Sequence, residues 1–369
     1  MPQEPPLAEL EIVNLAGPRT SLGAARTPRR VANAVAASLG RSYEMEALLD
    51  LAGRRLAAFH EAEAACITHC TAASLTIAAA ACLTATDRAA IRRLPDTSGL
   101  ARDRVLLMRA HDVDYGGLVS QPLRTSGAEI LAVGGVNRCH REELAAALAD
   151  PRLAAAFYVV SPSIEAAELP ELPEFLHLCR RHGVPAVVDA AHEASATPFL
   201  DAGADLVLTS AQKALAGPTA GLVLGRADLV AACRAQMTGI GRPMKPTKEA
   251  VAGVLAALEA FVAEADARAR RIARGRQRLL RLLRRLPGVE PLPGPGSRVR
   301  FLIDAAVLGR SARDVAAALA ARRPPVRLRD AGAGRGMLEI DPSVASPRDF
   351  AAALAALREV LAAPAGGGG

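Results

Sequence analysis

The run VVDAAHEASATPFLDAGADLVLTSAQKALAGPTAG, Val187 to Gly221, puts an acid at the end of one apolar segment and a lysine just beyond the next. Asp189 closes AVVD, a short apolar run of the kind that forms a fully buried strand. Ala204-Asp205-Leu206-Val207-Leu208-Thr209 reads as a second such strand, and Ser210 follows it, three residues before Lys213. Open α/β sheets bind ligands at the carboxyl ends of their strands. Taken singly, an Asp after an apolar run often marks a turn or a cap, and a lone Lys is usually a surface residue. Only the spaced pair is informative.

That pair suits pyridoxal 5'-phosphate. A carboxylate at Asp189 would keep the pyridine nitrogen protonated and the ring an electron sink, while Lys213 would supply the amine for covalent attachment. Ser210 is placed to reach the cofactor phosphate. Upstream, Thr68-His69-Cys70-Thr71-Ala72-Ala73-Ser74 lies between a strand and an alanine-rich helix. Backbone amides at Cys70, Thr71 and Ala72, with the helix dipole, suit the same phosphate, and Thr71 adds a hydroxyl. His111 ends the run VLLMRAH, where a turn or solvated histidine is the ordinary alternative. His192 either touches the 3-hydroxyl side of the cofactor or caps the loop after Asp189. Arg242 presents a planar fork matched to a substrate carboxylate or phosphate, against the alternative of an interface salt bridge. Arg327 and Arg329, in PPVRLRD, are further substrate candidates, although an exposed strand would show the same alternation.

Several segments carry a family resemblance. Ser42-Tyr43-Glu44-Met45-Glu46 through Ala64-Ala65-Cys66-Ile67-Thr68, Arg109-Ala110-His111 with Tyr115, Ser210 to Pro218, and above all Gly239-Ile240-Gly241-Arg242-Pro243-Met244-Lys245 are the segments concerned. Over nearly the whole chain the sequence resembles the selenocysteine synthase-like family of fold-type I pyridoxal phosphate enzymes, which includes bacterial seryl-tRNA selenium transferase and the sugar-acid ammonia lyases. The resemblance implies a cofactor joined to Lys213, His111 stacked on its ring, and Arg109 as a substrate cation. It also implies Cα deprotonation of an amino substrate with the freed Lys213 as base, followed by β-elimination or β-replacement. Two positions depart from the family: Cys70 stands where it has glycine, and Ala211-Gln212 replace its small pair before the lysine.

Seryl-tRNA selenium transferases usually carry an extra N-terminal tRNA-recognition domain, whereas here catalytic-type sequence begins near Val13-Asn14. A small amino acid or amino sugar acid is therefore the expected substrate, with no metal. A seryl-tRNA selenium transferase-like enzyme is one alternative, and a non-catalytic relative acting as a binding protein is another. Fold-type I sites are generally completed by a neighbouring subunit, so a homodimer or larger ring is expected.

Composition agrees with an α/β enzyme. The chain has 369 residues, 51% of them hydrophobic, enough for a large core. No run of 18 uncharged apolar residues occurs, so no membrane span is expected. The start MPQEPPLAELEIVN lacks the basic-then-apolar order of a signal peptide, which makes the cytoplasm the expected location. Six cysteines, at 66, 70, 82, 139, 179 and 233, show neither zinc-site spacing nor disulfide density and are read as reduced. The net charge is +7, much of it in ARARRIARGRQRLLRLLRR, Ala267 to Arg285. Its leucines recur at helical spacing, so this is an amphipathic helix with a solvated basic face, with RNA or membrane contact the less favoured reading.

Periodicity lays out the rest. An irregular N-terminal arm, 1–43, precedes a helix at 44–59. Apolar runs near 64–68, 104–108, 128–133, 154–160, 184–189, 205–209 and 220–224 read as strands, and 71–84, 140–149 and 170–182 as crossover helices. This predicts a mostly parallel, doubly wound sheet in a large cofactor-binding domain, 44–286, closed by one long helix from 247 to 286. The Pro/Gly-rich loop GVEPLPGPGSR opens a small α+β C-terminal domain, 287–365. Ser346 and Pro347 suit the N-cap and first turn of a last helix ending near Ala362. The glycines of the tail, 366–369, are expected to be disordered.

Overall fold

The computed structural model describes residues 6–164, 168–292, 294 and 296–362. The tail glycines lie outside the described residues. The chain divides into two compact units, Thr27–Phe261 and a second formed by Met1–Arg26 with Val262–Gly369.

The first unit is built on seven strands: β1 (Ala64–Thr68), β2 (Arg104–Met108), β3 (Glu129–Val133), β4 (Leu153–Val159), β5 (Ala186–Asp189), β6 (Leu206–Ser210) and β7 (Gly221–Gly225). Their spatial order is β1-β7-β6-β5-β4-β2-β3, and β7 runs opposite to the other six strands. The apolar runs are continuous because both faces are covered. On β2, Val105 and Leu107 enter one buried cluster while Leu106 and Met108 enter the other. Phe157 on β4 and Phe175 on the Leu172–His182 helix are fully buried; truncating either to alanine would cost about 3–5 kcal/mol. The expected mostly parallel, doubly wound architecture is what the chain adopts.

Two expectations are corrected. The arm contains a helix, Arg29–Leu39, which buries Val31 and Ser38. The single long helix is two, Lys248–Ala263 and Ala265–Leu283. They part at Glu264, whose φ −106° and ψ 11° interrupt the helical backbone. The second helix buries Gly275, Leu279 and Leu283 and leaves Arg270, Arg271, Arg274, Arg278 and Arg281 exposed.

The second unit contains a three-stranded antiparallel sheet in which Val299–Ile303 lies between Val289–Leu292 and Met337–Ile340. Val13–Asn14 pairs in parallel with Val326–Arg327, which ties the N-terminal segment to C-terminal residues. The last helix runs Pro347–Ala362, and Ser346 Oγ accepts the Asp349 N–H at 3.1 Å, as its sequence predicts. All six cysteines are free thiols. Among the described residues no helix is long and apolar enough to cross a membrane.

Candidate active site

Because β1, β2, β4, β5 and β6 are parallel, their carboxyl ends gather on one edge of the sheet. β7 begins at that edge. Register fixes the neighbours: Val159 pairs with Asp189, and Gly221 pairs with both Ser210 and Thr68. Gly221 is required there, since a Cβ would come within 2.3 Å of Ser74 Oγ and 2.5 Å of both Cys70 O and Thr68 Oγ1.

Asp189 is 8% exposed. Its Oδ1 accepts the Ala191 N–H at 3.1 Å, and its Oδ2 accepts no hydrogen bond among the described residues. Burial pushes the carboxyl up to about 6, although the Lys213 charge and the Ala191 N–H pull it down. A buried carboxylate with one oxygen lacking a donor is set up to receive one. Lys213 stands in the loop between β6 and β7, with its Nζ 3.2 Å from His192 Nε2. The loop is closed at its base by Ala211 N–H to Ala220 O at 3.0 Å and Gly217 N–H to Ala211 O at 2.9 Å. Gln212 turns to Thr219, whose Oγ1 donates to its Oε1 at 2.8 Å, so this departure from the family sequence braces the lysine loop.

The Thr71–Thr84 helix begins beside β6, where Thr71 Oγ1 donates to Thr209 O at 3.2 Å. The N–H groups of Cys70, Thr71 and Ala72, and the Ser210 hydroxyl, bond to no described residue. These donors, at the positive end of a helix, suit a phosphate dianion. Cys70 has φ −159° and ψ 171°, an extended conformation open to any residue, so the family's glycine is not needed by the backbone. These residues therefore fit pyridoxal phosphate at both its phosphate and its ring nitrogen.

His111 is buried, and its Nδ1 accepts the Val159 N–H at 3.0 Å, which leaves the proton of the neutral ring on Nε2. The Tyr158 ring meets it edge-on, 4.4 Å between centroids. Tyr115, half exposed, has its phenol pushed up to about 12 by burial and then by the charges of Asp189 and Cys70, which places it near both. Arg109 begins the turn Arg109–His111, and Arg242 begins the turn Arg242–Met244; both are exposed. Met244 O accepts the His69 N–H at 2.9 Å, which brings the GIGRPMK segment to the loop before Cys70. Arg329 belongs to the other unit, where its Nε donates to Ala16 O.

Sequence reasoning missed His60. This residue ends the Met45–His60 helix, is fully buried, and holds the loop that carries His192: its Nδ1 accepts the Ala196 N–H at 3.2 Å and its carbonyl accepts Thr197 Oγ1 at 2.9 Å. Nothing local marks it, because its partners lie 136 and 137 residues away.

Burial lowers both His60 and His111 from 6.5 to about 4. The unfolded chain protonates these rings first, so their contribution to stability is complete above pH 6.5 and lost as the pH falls through 4. The loss is roughly 3 kcal/mol per ring. Asp189 acts oppositely, since its pKa rises from 3.8 to about 6 and protonation then favours the folded state. Two rings outweigh one carboxyl. The urea midpoint of the cofactor-free protein should fall between pH 6.5 and pH 4, and fall less steeply in His60→Asn; equal slopes would show that His60 does not titrate in this way.

Residues 12–284 match the family described as SelA, L-seryl-tRNA selenium transferase. The chain belongs to this family. The chain is 35% identical over 96% of its length to a Streptomyces protein named 5'-C-glycyluridine monooxygenase-decarboxylase, covering 91% of that relative. It is 31% identical over 95% of its length to D-glucosaminate-6-phosphate ammonia lyase of Salmonella typhimurium (strain 14028s / SGSC 2262), covering 95% of that relative. A solved structure of D-glucosaminate-6-phosphate ammonia-lyase superposes with a TM-score of 0.83 at 30% identity, covering 97% of this chain and 99% of that one. This member of the SelA family is thus a fold-type I, pyridoxal phosphate-dependent enzyme.

Proposed function

We propose that the enzyme removes the Cα proton of a small amino acid or amino sugar acid and then eliminates or replaces a β-substituent, as an ammonia lyase does. The observation that carries this reading is that Oδ2 of buried Asp189, on the strand next to the one leading to Lys213, accepts no hydrogen bond from a described residue. When bound, pyridoxal phosphate supplies an aldehyde that condenses with amines and a ring that accepts the electron pair left at Cα. Asp189 Oδ2 would accept from a protonated ring nitrogen and hold it charged. Lys213 Nζ would take up the Cα proton, and His192 Nε2, 3.2 Å away, can exchange a proton with it. His111 would lie against the ring, and the Cys70, Thr71 and Ala72 amides with Ser210 would hold the phosphate. Arg109 and Arg242, whose side chains form no ion pair with a described residue, are the cations for a substrate carboxylate or phosphate, with Arg329 a further candidate. The proposal includes a homo-oligomer acting in the cytoplasm on a free small molecule rather than a charged tRNA. Full-length similarity to relatives named for small substrates supports this.

The Streptomyces relative favours one second reading, an oxygen-consuming decarboxylation of an amino acid. The two separate in an assay of the holoenzyme against amino acids and amino sugar acids, including D-glucosaminate 6-phosphate and 5'-C-glycyluridine. A lyase releases ammonia and a keto acid with no oxygen uptake. Carbon dioxide release matched by oxygen consumption would replace this proposal with the second reading.

A further inference from the structure

The segment Gln236–Met244 carries Arg242 and is bonded to both ends of one helix. Two short turns build it, Gln236–Thr238 and Arg242–Met244. At one end Gln236, fully buried, donates from Nε2 to Thr84 Oγ1 at 2.9 Å, and Thr84 is the last residue of the Thr71–Thr84 helix. At the other end Met244 O accepts the N–H of His69, just ahead of that helix. Between them the Gln236 carbonyl accepts the N–H groups of Gly239 and Gly241, both at 2.9 Å, Gly239 O accepts the Arg242 N–H at 3.0 Å, and Gly241 O accepts the Met244 N–H at 2.9 Å. A run of hydrogen bonds thus leads from Thr84 to His69. The glycines permit it: a Cβ at Gly241 would lie 2.8 Å from Gln236 O, and one at Gly239 would lie 2.6 Å from Ile91 Cγ2.

Gln236 holds its place at a cost. Its Oε1 is buried with no hydrogen-bond partner among the described residues, and an orphaned acceptor of this kind lowers stability. A methionine fills similar space with no amide to satisfy, and Thr84 would keep its own bond to Ala80 O at 2.9 Å. Packing alone therefore gives no reason for an amide here. What the amide supplies is the bond to Thr84 and a longer one to Ala232 O at 3.4 Å. We infer that Gln236 is a positioning residue, which ties the Arg242 segment to the Thr71–Thr84 helix and so holds the Cys70, Thr71 and Ala72 amides in place for the cofactor phosphate. Donors fixed in advance bind an anion better than donors that must be ordered on binding. His69 is the link, because its N–H is held from outside by Met244 O and the backbone enters the amide cradle from a set direction. This role for Gln236 rests on the phosphate lying at those amides.

The test measures, by absorbance, the affinity of the full-length, cofactor-free chain for pyridoxal phosphate and for pyridoxal, its phosphate-free form. Parent, Gln236→Met, Thr84→Val and the double variant are compared, with the urea midpoint of each. The parent should prefer pyridoxal phosphate. Each single variant should lose about five-fold of that preference, the factor that one hydrogen bond's net contribution gives. Pyridoxal affinity should not change, and Gln236→Met should be as stable as the parent or more so. The double variant should lose no more than either single one, because both remove the same bond. An unchanged preference in the single variants, losses that add in the double variant, or a weakening of both ligands together as the urea midpoint falls would each make Gln236 ordinary core packing and overturn the inference. A parent that binds the two ligands equally would overturn the phosphate placement as well, a separate failure seen without any variant.

Discussion

Lys213→Ala should abolish covalent cofactor attachment and lower turnover by about a thousand-fold or more, the scale expected when one residue is both attachment point and proton-transfer group. Its backbone position is set by the Ser210 carbonyl, which accepts the Lys213 N–H at 3.3 Å, and by the closed base of the loop, so an alanine leaves the fold intact. Borohydride reduction of the parent followed by peptide mapping should find the pyridoxyl group on Lys213. Lys248 cannot take its place, because its ammonium donates to the carbonyls of Leu39 and Arg41. An adduct on Lys245 or Lys248, or none at Lys213, would remove the foundation of the proposed chemistry.

Asp189→Asn should lower turnover by about 10²–10³-fold, as when one preorganised electrostatic partner is lost from a site shielded from water, and Asp189→Ala by at least as much. The cofactor-free protein should be as stable as the parent or more so near neutral pH. The physical reason is that the parent carries a carboxylate whose burial raises it to about 6, and removing an incompletely paired buried charge relieves a cost. This pairing of effects separates a cofactor partner from a turn residue. If Asp189 served only to accept the Ala191 N–H, the asparagine variant would keep its turnover within a few-fold and the alanine variant would lose stability.

The strands were legible because each lies buried on both faces and so reads as a short unbroken apolar run; AVVD and LVLTS are examples, and their ends also located Asp189 and Ser210. The lysine loop was legible for the same reason, being the polar interval between two such runs. The Arg29–Leu39 helix carried its signal in Val31, Val35 and Leu39 at helical spacing, a pattern only three apolar residues long and set among alanines and arginines, and it was missed. The break at Glu264 escaped notice since glutamate is a good helix former, and only the backbone shows the interruption.

The amino-acid sequence alone determined the fold class, because strand burial is a local property of the chain, while the cofactor came with the family resemblance carried by several segments together and the ends of two strands marked Asp189 and Lys213 as candidates for it. The tertiary structure alone decided which distant groups serve them. Val159 N–H meets His111 from 48 residues away, His60 pins the His192 loop from 136 residues away, and Thr71 reaches Thr209 across 138. Arg329 Nε reaches Ala16 O across 313 positions, beside the parallel pairing of Val13–Asn14 with Val326–Arg327. Contacts of this kind depend on sheet order and chain closure, which no window of neighbouring residues encodes.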